Sequence, residues 1–565
     1  MSKRRVSAAA IALCAFAVLI PPLASWAEPD DGPRSPKDRQ PAAAGVTRAD
    51  GLLTSDFDLG DIDLPSNNDS KITFRAPVRG TLTLPDKEDA NAPLVIFSHL
   101  RASTCGNGAF AYPCPSGVAE VRYDKGMDYL AKALAAKGYA VLVPNLAPLY
   151  IGIQQEGPYD QKIGYMVTLD RIRDRLVSAA QGGANDFGAT MKGRVDTSKV
   201  AIAGQGRSGR MLAPLAIRWK QGPVKPAAIL AVAPLYRVAR YGEAEGNAPD
   251  TSWSTAPPTD IPYFGLVPSA DGVIEEADAN QYLSHYLSVP RTAPAQVAVT
   301  EEPFGHNFFN TALSSIPADD RLGCLGKPCV PTAEAHQALL IKSFGDWLDA
   351  TMKAGQAPEL AFAADAAVPT AISGHNAEFL MATPGPKTVL LNPTGKALKD
   401  AAGKEIQGVG DVRMQGCRFY GTNFPDQVDR CEDNSATGST QALATSYVLA
   451  LRWTGNGAAR ISVPPNAAAA ERLVMQVMPW WSEPGQTGTQ VRVTLTDKAG
   501  KTASVQLDGK DPALEPRSGH APHLLGTIRL PLSRFADVDT KNLASVEIGG
   551  SGSAGAIAVR SLELS

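Results

Sequence analysis

Between residues 70 and 355, short continuous apolar runs alternate with longer segments of helical spacing. The runs are APLVIFSH, YAVLVPN, KVAIAG, AAILAVAPL, PYFGLVPS and AQVAVTE. A strand apolar at every position, rather than at every second one, belongs to a parallel sheet covered on both faces. The intervening DYLAKALAAKG, GYMVTLDRIRDRLVSAA, QGRSGRMLAPLAIRWK and AHQALLIKSFGDWLDATMKAG read as helices. Gly138 ends the first of them, as glycine does where a chain leaves a helix in a left-handed turn. Ahead of this array, KITFRAPVRGTLTLP predicts two strands broken around Arg79-Gly80.

Beyond about residue 385 the helical spacing disappears. TSYVLALRW, RLVMQVMPWW, TQVRVTLTD, TASVQL, LGTIRLPL, SVEIGG and AIAVRSLEL follow one another, separated by Gly, Pro, Asn and Asp turns. Many short strands punctuated in this way predict a sandwich or jelly roll. The expected organisation is therefore an α/β domain over 51–360, a linker over 361–384 and a β-sandwich over 385–565.

The first residues predict export. Lys3, Arg4 and Arg5 precede a mostly apolar run from Val6 to Leu23, broken by Pro21 and Pro22. Ser25 and Ala27 supply the small residues of a cleavage site, so 1–27 read as a signal peptide. The uninterrupted run is shorter than the roughly 20 residues of a spanning helix. No later stretch is long and apolar enough to cross a bilayer. Residues 28–50, rich in Pro, Asp, Arg and Ala, read as a flexible leader.

Composition narrows the class. The 565 residues are 44% hydrophobic and 20% charged, as in ordinary globular proteins. With 54 basic residues against 57 acidic ones and no arginine-rich tract, nothing points to a nucleic-acid partner. Of seven cysteines, Cys14 lies in the signal. The other six fall into the local pairs Cys105–Cys114, Cys324–Cys329 and Cys417–Cys431, which in an exported chain predict disulfides. No Cys-x-x-Cys or clustered His accompanies them, and His520 and His523 lack a nearby third ligand. No metal or cofactor is expected.

Ligands of an open parallel sheet bind beyond the carboxyl ends of its strands. There the chain carries Ser98-His99-Leu100-Arg101, Gly204-Gln205-Gly206-Arg207-Ser208-Gly209, Ser269-Ala270-Asp271-Gly272 and Gly305-His306-Asn307. An acid after a late strand and a His after the last one is the chain order of an α/β-hydrolase acid and base.

Five motifs then occur in one order: HLRASTC from His99, PCPSG from Pro113, KGMDYLAKALAAKGYAVLVPN from Lys125, GRVDTSKVAIAGQGRSG from Gly193 and GHNFFNT from Gly305. Over about 70–355 the chain resembles a family of secreted bacterial α/β-hydrolases related to the platelet-activating-factor acetylhydrolase and dienelactone hydrolase groups. The resemblance implies an α/β-hydrolase fold and activity on carboxylic esters. It implies Asp271 as the acid that orients His306, His306 as the base, and an oxyanion hole at Leu100 and Arg207. His99 and Arg101 would line the pocket. The departures fall in the same place. Where the family has Gly-His-Ser-Arg-Gly-Gly, this chain has Gln205 for the His, Gly206 for the nucleophilic Ser and Ser208 for a Gly. The Gly that follows the first His of the family is Leu100.

A serine hydrolase needs a hydroxyl within hydrogen-bond reach of its base, and Gly206 has none. Three readings stay open. The chemistry is lost and the pocket binds a ligand; or Ser208, or else Ser98, takes over; or the Asp271–His306 pair activates water directly. The substrate would be a small or polymeric ester. The rival is a non-catalytic binding protein for lipid, polymer or glycan, using the old pocket and the β domain. Trp453, Trp480 and Trp481 are core, an edge of the domain interface, or a sugar-stacking platform there.

Overall fold

The structure, a computed structural model, describes residues 42–65, 73–151, 161–236, 255–271, 273, 278–313, 331–355, 367–418, 447–467, 469–480, 488–515 and 524–565. Long strands open it: β1 (Ala42–Ala49), β2 (Leu52–Pro65) and β3 (Thr73–Pro85). The parallel array follows as β4 (Ala92–Ser98), β5 (Ala140–Pro144), β6 (Val195–Gln205), β7 (Pro226–Val232), β8 (Tyr263–Val267) and β9 (Ala295–Thr300). Two more strands, β10 (Ala371–Ile372) and β11 (His375–Ala382), complete one sheet in the order β1-β2-β3-β5-β4-β6-β7-β8-β9-β11-β10. From β5 to β9 neighbours run parallel, and both flanks are antiparallel.

The described helices are α1 (Asp128–Ala136), α2 (Gln161–Ala180), α3 (Leu212–Trp219), α4 (Asp278–Ser284) and α5 (Ala333–Met352). Leu94 and Ile96 of β4 face α2 and α3, in a core with Leu169, Ile172 and Leu215. Val95 and Phe97 face α1 and α5, in a core with Leu134, Phe344 and Trp347. Every position of such a strand meets one core or the other, which is why the runs are apolar throughout. Gly138, at φ 90°, releases the chain from α1 as predicted.

Three sequence expectations are corrected. Over its described part, Thr73–Pro85, KITFRAPVRGTLTLP is one strand, not two. A Cβ at Gly80 would lie 2.3 Å from the Val143 carbonyl oxygen, so the glycine lets β3 approach β5 rather than breaking the strand. Residues 42–49, expected in the leader, form β1 and pair with β2. An edge strand with mostly exposed side chains needs no apolar pattern, so composition did not betray it. Within the expected linker, β11 pairs antiparallel with β9 from Ala377 to Ala382.

The β domain has two antiparallel sheets. One joins β12 (Thr388–Leu391), β14 (Val412–Arg418), β15 (Tyr447–Trp453), β17 (Arg472–Pro479), β20 (Gly526–Pro531) and β22 (Gly555–Leu564). The other joins β13 (Gln407–Val409), β16 (Ala458–Ser462), β18 (Val491–Asp497), β19 (Thr502–Leu507) and β21 (Leu543–Gly549). Leu449, Leu451, Ile557 and Val559 point between the sheets. Ala450, Met478, Leu525 and Ala558 point the other way, into the core of the α/β domain. Trp453 and Trp480 are buried, so these two are core and not a sugar platform; Trp481 lies outside the described residues.

Cys105 and Cys114 form the expected disulfide. Cys417 is disulfide-bonded as well, while Cys431, its expected partner, lies outside the described residues. So do Cys324, Cys329, His520, His523 and the whole of the expected signal sequence.

Candidate active site

The carboxyl ends of β4, β6, β8 and β9 bring the site together. After Gln205 the chain enters a 3-10 turn, Gly206–Met211, which leads into α3. Gly206 stands at φ 57°, in the left-handed region that a sharp strand-to-helix elbow imposes. A side chain there would point straight at the base. A Cβ on Gly206 would lie 3.0 Å from His306 Nε2, 3.2 Å from its Cε1 and 3.4 Å from Leu100 Cβ.

His306 and Asp271 meet as the resemblance implied. His306 Nδ1 lies 2.9 Å from Asp271 Oδ2, and both side chains are buried. A carboxylate only accepts, so Nδ1 carries the hydrogen, and Nε2 of the neutral ring carries the lone pair beside Gly206. Asp271 Oδ1 accepts from the Val273 amide at 2.9 Å. Such a pair can act as a general base with its orienting acid.

Two residues that sequence reasoning did not assign to the site hold the His306 loop. Gln205 donates from Nε2 to the His306 carbonyl at 2.8 Å. His336, on α5, accepts the Gly305 amide on Nε2 at 2.7 Å and donates from Nδ1 to the Thr332 carbonyl at 2.8 Å. No local spacing links His336 to His306. A His on an otherwise apolar helix face was the available signal.

The expected rescue by serine is corrected. Ser208 Oγ donates to the His99 carbonyl at 2.6 Å and lies 2.6 Å from the Tyr150 hydroxyl; among the described residues these are its side-chain partners. Its Cβ packs 3.2 Å from where a Gly204 Cβ would be, back against β6. Ser98 is no closer to the task, since its hydroxyl bonds the Tyr165 hydroxyl at 2.9 Å.

His99 is also corrected, from pocket residue to buttress. It is fully buried. Its Nδ1 donates to the Leu100 carbonyl at 2.7 Å and its Nε2 accepts the Leu146 amide at 2.8 Å. Leu100 is buried beside Gly206. Arg207 donates from Nη1 to Gln161 Oε1 at 2.6 Å, and the Arg101 guanidinium sits 4.2 Å over the Phe110 ring.

Burial pushes both His99 and His336 down to about 4. Both stay neutral when folded, while in the unfolded chain they titrate near 6.5. Below that pH the unfolded state takes up protons that the folded state refuses. Their contribution is therefore full above about pH 6.5 and is lost as pH falls toward 4. The expected loss is about 2 kcal/mol for each at pH 5. Urea unfolding at pH 7 and pH 5 measures it; equal midpoints would contradict it.

No family model and no curated protein matches this chain. Solved structures do. A ferulic acid esterase from Streptomyces cinnamoneus is 13% identical, with 56% of this chain and 94% of that one covered at a TM-score of 0.36. An esterase from the archaeon Pyrobaculum calidifontis is 14% identical, covering 47% and 83% at 0.27. A family 11 carbohydrate-binding module of a cellulosomal cellulase of Clostridium thermocellum is 12% identical, covering 30% and 93% at 0.18. At these scores the likenesses carry nothing about chemistry, which rests on the geometry of Gly206, Asp271 and His306.

Proposed function

We propose that this chain is an exported protein on a carboxylic-ester-hydrolase scaffold that holds an ester-like ligand against the Asp271–His306 pair without forming an acyl-enzyme. One observation carries this reading: an oriented base stands 3.0 Å from the Cβ position of a residue that has no side chain. A base without a nucleophile can still bind a ligand's polar group or deprotonate a water, and triads that lack a member retain only about 10³–10⁴-fold over water. The export half of the proposal is supported by the amino-terminal charge and apolar pattern and by the Cys105–Cys114 disulfide. Among the described residues no helix is long and apolar enough to cross a membrane.

A fluorophosphonate probe and short p-nitrophenyl esters test the reading. The protein is expected to take no covalent label and to turn over esters at no more than a trace rate, with Ser208→Ala identical to wild type. A label that maps to Ser208 and vanishes in Ser208→Ala would sink it.

A further inference from the structure

The outer sheet of the β domain carries a hollow that the Gly206 site does not use. Along β18 the residues alternate. Val491, Val493 and Leu495 enter the sandwich core, while Arg492, Thr494 and Thr496 line the hollow on the other face. Register carries the pattern across the sheet. Arg460 of β16, Glu547 of β21, Thr494 of β18 and Ser504 of β19 stand opposite one another in one row. Ser545, Thr496 and Thr502 form the next row on β21, β18 and β19. With Arg492 these two rows line about 490 Å³, within the roughly 300–1,000 Å³ of small-ligand sites.

Every side chain of the lining can hydrogen-bond, and none is aromatic or aliphatic. Its planar groups are already held. Arg460 donates from Nε to Glu547 Oε1 at 2.6 Å. Arg492 donates from Nη1 to Asn456 Oδ1 at 3.0 Å and from Nη2 to the Asn456 carbonyl at 3.3 Å. Thr494 and Ser504 pair through their hydroxyls at 2.7 Å. Among the described residues, the hydroxyls of Thr496, Thr502 and Ser545 have no side-chain partner, so they can bond a ligand. Side chains held in this way lose little further rotamer freedom when a ligand docks. The lining also selects among ligand classes. A lipid or an aromatic ring needs an apolar floor. A polyanion such as nucleic acid needs a surplus of cations, whereas Glu547 cancels Arg460 and leaves only Arg492. A sugar offers a dense array of hydroxyls, each both donor and acceptor, which matches Ser, Thr and the planar Arg and Glu groups. Trp453 and Trp480, being buried, offer it no stacking surface.

We propose that this hollow binds a segment of a glycan through hydrogen bonds from Arg460, Arg492, Glu547 and the Ser and Thr hydroxyls. The inference does not depend on the reading of the Gly206 site. The sheet that packs on the α/β domain is the other one, so the hollow opens away from that domain. It anchors the chain to a carbohydrate polymer and does not feed the pocket at Gly206.

Native affinity electrophoresis of the mature chain tests it, in gels cast with hydroxyethyl cellulose, xylan, dextran or polygalacturonate. Polyethylene glycol serves as a polymer without sugar rings. At least one polysaccharide is expected to retard the protein, and polyethylene glycol is not. Retardation by polygalacturonate alone that is lost in Arg492→Gln identifies an acidic glycan; retardation by one of the neutral polysaccharides identifies a neutral one. Thr496→Lys fills the hollow from a strand position that faces away from the core, and should weaken binding at least about tenfold. Ser504→Arg, on the edge strand β19, is a second variant of the same kind, and keeps the test decisive if the first does not fold. Circular dichroism checks both. No retardation in any polysaccharide gel, equal retardation by polyethylene glycol, or unchanged retardation of the folded variants overturns the site.

Discussion

Replacing Gly206 by Ser is expected to confer esterase activity. His306 already stands beside position 206, bonded to Asp271 at 2.9 Å, with its loop held by Gln205 and His336. The backbone already has the left-handed φ of 57° that the elbow requires, so the substitution needs no refolding of the turn. It does need space. A Cβ 3.0 Å from Nε2 is tighter than ordinary contact, and the imidazole must give by a few tenths of an ångström. A non-glycine residue at this φ also costs about 1–2 kcal/mol, visible as a fall of a few degrees in Tm. Against that, removing the serine of an intact triad costs about 10⁶-fold, so restoring it in an untuned pocket should gain at least about 10²-fold in kcat/KM for p-nitrophenyl acetate. The fluorophosphonate label should appear at position 206 and disappear on adding His306→Ala. Gly206→Ala should lose the same stability and gain no activity. A folded Gly206→Ser protein with neither label nor turnover would show that His306 is not poised as a base.

Ending the chain after Gly355 is expected to abolish soluble folding, not to release an independent hydrolase-like domain. The cut removes β11, which pairs with β9 over Ala377–Ala382, and leaves the last parallel strand as an open edge. It also strips Ala450, Met478, Leu525 and Ala558 from a core that they share with β2, α2 and α4. Polar contacts cross the same boundary. Asn280 donates from Nδ2 to the Leu525 carbonyl at 2.8 Å and accepts the Leu525 amide on Oδ1 at 3.3 Å. The buried Lys387–Glu563 pair, at 2.8 Å, anchors to the α/β domain through a bond from Lys387 Nζ to the Leu287 carbonyl. Without the β domain, Asn280 and a large apolar face meet water. Soluble yield, gel filtration and circular dichroism of residues 42–355 decide the matter. A monomeric, cooperatively melting fragment would mean that the shared core is dispensable.

Much of this molecule was legible in its chain. Continuous apolar runs announced a doubly covered parallel sheet because each such strand must feed two cores. The sharp turn at Gly206 and the meeting of Asp271 with His306 were legible from their places at strand ends. One sign was present but unread. The strands of the doubly buried β-domain sheet, YVLALRW and RLVMQVMP, are apolar almost throughout, whereas VRVTLTD of the outer sheet alternates. That difference marks which sheet is covered on both sides.

The rest was decided only in three dimensions. Ser208 lies two residues from the vacancy, yet its hydroxyl turns to the His99 carbonyl, because the elbow rotates successive side chains to different neighbours. Whether His99, His306 or His336 is base or buttress depends on what meets each ring nitrogen: two backbone groups for His99 and His336, a carboxylate for His306. The leader and the linker held strands that no local pattern marked, since an edge strand is stabilised by the partner it pairs with. Local sequence records how deeply each residue is to be buried and with what period. Which group it meets, tens or hundreds of residues away, is set by packing, and here packing set the His306 ring beside Gly206.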